Sequence, residues 1–172
     1  FTVPGLEDVM GGRVAISSIR PVEIEDLLGR EPVWIDTRHV AAMVAGKTVL
    51  VTGAGGSIGS ELCRQLARFK PARLVLFEQS EFALYTLEQE MVTRHPSLAF
   101  VPLVEDVREP AVLDAVFRQY RPQLVFHAAA YKHVPLMERD NAWEAVRNNV
   151  GGTLAVAHAA QRWGVEEFVL VS

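Results

Sequence analysis

From residue 47 onward the apolar positions of this chain follow two alternating periods. Short runs rich in β-branched and aliphatic residues, at 48–52, 73–78, 99–104, 123–127 and 166–171, read as buried strands. Between them apolar residues recur every three or four positions, which predicts helices. Ile58, Leu62 and Leu66 mark a helix over 57–69, Leu84, Leu87 and Met91 one over 81–94, and Val112, Val116 and Tyr120 one that opens at Pro110. A long helix is predicted over 141–163, with Ala142, Val146, Val150 and Leu154 as its apolar stripe. Pro110 suits a first helical turn, the His95-Pro96 step ends a helix, and Gly164 stops the last one.

Strands alternating with helices of this length make βαβ units on a parallel sheet. The predicted fold class is α/β, a Rossmann-type doubly wound parallel sheet in the order 3-2-1-4-5, with right-handed crossovers and a truncation after the fifth strand. Residues 47–172 form this domain. Residues 1–46 read as a lead segment. A short strand is predicted over 14–19 after Gly11-Gly12, a helix over 22–28, extended chain at 32–35, and a helix over 37–45 capped by Asp36 and stopped by Gly46. The lead has too few apolar residues for a core of its own, so it is expected to pack on the main domain or on a neighbouring subunit.

The first strand runs into Thr52-Gly53-Ala54-Gly55-Gly56-Ser57-Ile58-Gly59, and the first helix begins inside that stretch. Glycines on a strand-to-helix turn are what a dinucleotide site demands. One allows the tight turn, one lets backbone approach a pyrophosphate, and one lets helix and strand pack closely. The open N–H groups of Ser57, Ile58 and Gly59 then face phosphate. The spacing of Gly53, Gly56 and Gly59 is G-x-x-G-x-x-G, unlike the G-x-G-x-x-G of ordinary dehydrogenases.

Glu78 ends the second strand, 19 positions after Gly59. A carboxylate there can accept from both adenosine ribose hydroxyls and would repel a 2′-phosphate, which favours NAD over NADP. A solvated acid at a strand end would look the same. Asp106 and Val107 follow the third strand and could meet the adenine edge, although Asp106 could equally be a helix-start acid. Ala128, Ala129 and Ala130 end the fourth strand, where small side chains let a cofactor lie against the sheet. His127 before them reads as a satisfied core histidine. The loop Tyr131-Lys132-His133-Val134-Pro135-Leu136-Met137-Glu138 follows at the rim where substrate contacts belong, with Lys132 and His133 as candidates. Asn149 faces the apolar side of the long helix and needs partners, and Gly151-Gly152 suggests close packing or ligand approach there.

Composition narrows the field. The 172 residues are 49% hydrophobic and 22% charged, a globular balance. A net charge of −4 offers no electrostatic reason to expect nucleic acid or an anionic membrane. Cys63 is alone and reads as a packed core residue. The five histidines share no metal-ligand spacing with cysteine or acids, so no metal is expected. The chain opens at Phe1 and stops at Ser172 directly after a strand pattern, so it is expected to be part of something longer.

These residues together resemble the extended short-chain dehydrogenase/reductase superfamily, whose T-G-x-x-G-x-x-G pattern is Thr52 to Gly59 and whose N-x-x-G-T pattern is Asn149 to Thr153. The closer resemblance is to the nucleotide-sugar 4,6-dehydratases of bacterial polysaccharide biosynthesis. It is carried by Ile24-Glu25-Asp26-Leu27-Leu28-Gly29-Arg30, by the glycine stretch through Leu62, by Ala128 to Glu138 and by Asn148 to Thr153. The resemblance implies a UDP-N-acetyl-hexosamine substrate, UDP-N-acetylglucosamine foremost. The implied reaction oxidises sugar C4, removes water across C5 and C6, and returns the hydride to C6. NAD is the implied cofactor, ahead of NADP, and a homo-oligomer is expected. Long members carry membrane helices ahead of the catalytic domain. The chain is therefore expected on the cytoplasmic face, anchored in the bacterial inner membrane by helices outside it. In this family a Ser-Thr-Asp-Lys run follows the fifth strand and supplies the catalytic groups. Ser172 would open that run, so no catalytic residue is assigned and no turnover is expected of this chain. A nucleotide-sugar 4-epimerase and a non-catalytic dinucleotide-binding module are the alternatives.

Overall fold

The computed structural model describes residues 37–171. The readings placed on 1–36, including the Asp36 cap and the Ile24 to Arg30 motif, and on Ser172 lie outside the described residues. Five parallel strands form one sheet in the order β3-β2-β1-β4-β5: β1 Thr48–Thr52, β2 Arg73–Glu78, β3 Phe100–Val104, β4 Leu124–His127 and β5 Glu167–Leu170. This is the expected order. Helices α2 Ser57–Arg68, α3 Glu81–Arg94 and α4 Pro110–Tyr120 make the first three connections, a longer helical stretch ending in a last helix at Arg162 joins β4 to β5, and α1 Thr37–Val44 precedes them all.

The central strands carry apolar residues on both faces because helices cover both faces. Alternation sends them to opposite sides. Val49, Val51, Leu74, Leu76, Leu124 and Phe126 pack with Leu66 of α2, Leu84 and Met91 of α3, and Val44 of α1. Leu50, Val75, Phe77 and Val125 face the other way, against Leu113 and Phe117 of α4 and the last helix. Val44 is fully buried, so α1 packs on this core, and Gly46 beyond it takes a left-handed φ of +71° that turns the chain into β1.

Register is what assembles the site. Thr52 of β1 pairs with Phe77 on one side and His127 on the other. The residues that come next along these strands, Gly53, Glu78 and Ala128, therefore stand side by side along the carboxyl edge, where β1 leads one way to β2 and β4 lies on its other flank. That reversal is the switch point at which open α/β sheets bind ligands.

Two expectations are corrected here. The stretch read as a rim loop contains a short helix, α5 Val134–Glu138. The long helix is continuous over 142–162 but not uniform: α6 Ala142–Ala145 passes into a π-helical segment, Val146–Gly152, and then into α7 Thr153–Arg162. Its predicted stripe points outward, with Val146, Val150 and Leu154 about half exposed. Asn148, Gly152, Val156, Ala159 and Ala160 face the sheet instead. Small residues win the inward face because they let the helix approach closely: a methyl group added at Gly152 would stand 2.8 Å from Val107 Cγ2.

Candidate functional site

A cleft of about 280 Å³ lies over the carboxyl ends of β1, β2 and β4. Its floor is the β1–α2 turn. Gly53 has a φ of +67°, and a Cβ there would lie 2.7 Å from Ala129 N and 2.8 Å from Ala128 C. Only glycine fits both demands. The Gly56 amide donates to the Gly53 carbonyl at 3.0 Å, which closes the turn. Gly56 is the N-cap of α2 and brings no side-chain cap. The first intrahelical bond runs from Ser60 N to Gly56 O at 2.8 Å, so helix geometry leaves the N–H groups of Ser57, Ile58 and Gly59 open. Ser57 and Ile58 are exposed and Gly59 is buried. An uncapped helix start beside close-approach glycines leaves backbone donors of the kind that can hold an anion.

Glu78 forms one wall. It is 9% exposed, and both its oxygens are held by backbone: Oε2 accepts from Gly55 N at 3.0 Å and Oε1 from Ser80 N at 2.9 Å. A carboxylate oxygen has two acceptor positions, so each retains one. The carboxylate is thus fixed in place and able to accept more hydrogen bonds. Opposite stand Ala128, Ala129 and Ala130, which line the cleft as Glu78 and Val107 do.

Asp106 is placed differently. Its carboxylate takes a forked pair of bonds from Arg108 and also the Arg108 backbone N–H at 2.8 Å. The Arg108 guanidinium holds the Asp106 carboxyl below its ordinary value. Arg108 reaches on to Glu144 at 2.8 Å, tying the β3–α4 loop to α6. Asp106 does not line the cleft, whereas its neighbours Glu105 and Val107 do.

The asparagine pair divides its work. Asn149 clamps the rim: its Oδ1 accepts from Tyr131 N at 2.8 Å and its Nδ2 donates to Tyr131 O at 3.0 Å. Asn148, 3% exposed, lines the cleft, and its Nδ2 donates to Asn149 Oδ1 at 3.0 Å. The apolar stripe points to Asn149, whereas the structure puts Asn148 on the cleft and Asn149 on the rim behind it. The doublet itself was the signal, but which member turns inward depends on the helix phase. Gln79 and Ser80 also line the cleft, a place that follows from their position directly after Glu78. Lys132 is exposed and borders a second, shallow recess with Val134 and Met137. His133 is exposed, and its carbonyl starts α5 by accepting from Leu136 N and Met137 N. Neither lines the cleft.

Among the described residues no group of three or more His, Cys, Asp or Glu could hold a metal ion, and no helix is long and apolar enough to cross a membrane. Cys63 is buried, and burial pushes its thiol up to about 12.

This fold and cleft define a nucleotide-binding domain of the short-chain dehydrogenase/reductase type. A family model described as "Polysaccharide biosynthesis protein" matches residues 49–172, and the chain belongs to that family. The capsular polysaccharide biosynthesis protein CapD of Staphylococcus aureus is 43% identical over an alignment 173 positions long that covers all of this chain and 29% of that protein. The UDP-N-acetylglucosamine 4,6-dehydratase (inverting) of Campylobacter jejuni is 32% identical over 73% of this chain and 36% of its own length. Among solved structures, the UDP-glucose 4-epimerase of Thermus thermophilus in complex with NAD superposes with a TM-score of 0.56. It is 29% identical and covers 70% of this chain and 36% of that one. The chain thus spans about a third of the length of the relatives it matches.

Proposed function

We propose that this chain is the NAD-binding portion of a UDP-N-acetyl-hexosamine 4,6-dehydratase that makes a sugar precursor for bacterial surface polysaccharide, with UDP-N-acetylglucosamine as substrate. The observation that carries the cofactor reading is the pairing of an uncapped α2 start with the fixed Glu78 carboxylate beside it. The open amides of Ser57, Ile58 and Gly59 suit a pyrophosphate, and Glu78 suits a ribose diol while opposing a 2′-phosphate. Family membership and the dehydratase relative support the substrate class.

When bound, NAD supplies a hydride acceptor and donor. The residues here bind and orient it. Ala128, Ala129 and Ala130 give it a flat wall, Val107 and Asn148 close the far side of the cleft, and Asn149 holds the Tyr131 rim toward the substrate side. Lys132 on that rim is the cation for a sugar-nucleotide pyrophosphate. In the whole protein the catalytic groups follow residue 172, and helices outside this chain hold it at the cytoplasmic face of the inner membrane. A 4-epimerase is the second reading, favoured by the NAD-bound epimerase likeness.

Calorimetric titration of this chain with NAD+, NADP+ and UDP-N-acetylglucosamine tests the proposal. The expected result is NAD+ binding well above NADP+ and little affinity for the sugar nucleotide. No dinucleotide binding would overturn the cofactor reading. Equal or tighter NADP+ binding would remove Glu78 from the ribose and leave the family unaffected. Product analysis of the full-length protein with UDP-N-acetylglucosamine separates a 4-keto-6-deoxy product from a 4-epimer.

A further inference from the structure

His127 ends β4, is 1% exposed and is hydrogen-bonded at both ring nitrogens. Nδ1 lies 2.6 Å from Thr52 Oγ1, and Nε2 lies 2.9 Å from Thr153 Oγ1. Proton counting decides the tautomer. The Thr153 hydroxyl has one hydrogen and donates it to the Asn149 carbonyl at 2.6 Å. Toward His127 it can only accept, so Nε2 carries the ring proton. A neutral ring then has a bare Nδ1, which accepts from the Thr52 hydroxyl. Burial keeps the ring neutral, holding its pKa near 4.

The chain of bonds continues past Thr153. Asn149, whose carbonyl receives that hydroxyl, holds Tyr131 by both of its backbone groups and accepts from Asn148. Asn148 and Asn149 lie inside the π segment. π turns are uncommon and recur at functional sites, where neighbouring contacts hold them. Here those contacts are the Thr153 hydroxyl on one side and Tyr131 on the other. His127 itself does not line the cleft.

We propose that His127 is a positioning residue for the cofactor cleft: as the Nε2–H tautomer it joins Thr52, just before the glycine turn, to Thr153, just after the π segment, and so sets where Asn148 and Tyr131 stand on the cleft wall. The role rests on the dinucleotide reading above. A neutral imidazole offers an acceptor on one side and a donor on the other across that span. Phenylalanine would fill the space and make neither bond.

The test has two parts. A nitrogen-15 spectrum of the His127 ring in the unliganded chain should show a protonated Nε2 and a bare Nδ1. Thr153→Val then cuts the chain at equal volume, and Thr153→Ser restores the hydroxyl. Thr153→Val should raise the NAD+ dissociation constant roughly three- to tenfold and speed hydrogen exchange at the Tyr131 amide, and Thr153→Ser should return both close to wild type. Thr52→Val cuts the same chain at its other end and should act alike if Thr153→Val folds poorly. A proton on Nδ1 overturns the proposal. So does a Thr153→Val chain that keeps both NAD+ affinity and Tyr131 protection. A wild-type chain with the expected tautomer and no NAD+ binding overturns the dinucleotide reading instead, and with it any cofactor-positioning role.

Discussion

The carboxylate of Glu78 rests on the backbone amide of Gly55, oxygen to nitrogen 3.0 Å. A Cβ on Gly55 would stand 2.6 Å from Ala83 Cβ and 3.0 Å from Glu78 Cγ, so strand end, glycine turn and helix α3 are in van der Waals contact at this point. The acid cannot swing aside to admit a 2′-phosphate without abandoning two backbone donors. Glu78→Ala should therefore weaken NAD+ binding at least tenfold, the size expected for losing hydrogen bonds to a charged group. NADP+ binding should change much less. Titration of both cofactors against wild type and variant checks this.

Gly151 and Gly152 are adjacent and should respond in opposite directions. A Cβ at Gly152 meets Val107, which is itself buried at 4% exposure. Gly152→Ala should cost about 1–3 kcal/mol through overpacking and should also weaken NAD+, because Val107 lines the cleft. Gly151 has open space around its Cβ position. Gly151→Ala should stabilise the chain by about 0.5–1 kcal/mol through helix propensity. Denaturant unfolding of the two variants measures both.

His127 gives stability a pH dependence. Its folded pKa, about 4, lies below the ordinary 6.5, so the unfolded chain binds the extra proton between those values. Its contribution is full above pH 6.5 and is lost as pH falls through 4. The span corresponds to about 3 kcal/mol. Unfolding free energy should fall as pH drops from 6.5 to 4, and a His127→Asn variant should show a shallower slope across that window. An identical slope in the two proteins would contradict this.

The outward face of the long helix predicts a contrast between two valines. Val156 is fully buried and Val150 is 54% exposed. Val156→Ala should cost about 2 kcal/mol, and Val150→Ala should stay within about 0.5 kcal/mol of wild type. Reversal of that order would restore the stripe read from the sequence.

The stripe shows where reading stops. Val146, Val150 and Leu154 recur every four residues, and so do Asn148, Gly152 and Val156, two positions out of phase. Hydrophobicity alone prefers the first set. Packing chooses the second, because Gly152, Ala159 and Ala160 let the helix sit close to Val107 and the sheet. The same phase puts Asn148, not Asn149, on the cleft. Asp106 shows the matching limit for charge: its carboxylate goes to Arg108, two residues on, a local pairing that strand and helix patterns do not report.

By itself the sequence determined the five-strand alternation, the sheet order, the glycine turn and the place of Glu78. The alternation and the strand-end place of Glu78 follow from short-range periodicity, the turn from the backbone demands of glycine, and the sheet order from the doubly wound class that these together select. Tertiary structure alone decided which face of the last helix turns inward, where it winds as a π segment, which asparagine reaches the cleft, and how Thr52, His127 and Thr153 share their protons. Those depend on steric fit and on hydrogen-bond partners 26 and 75 residues apart, and separations of that length leave no periodic trace along the chain.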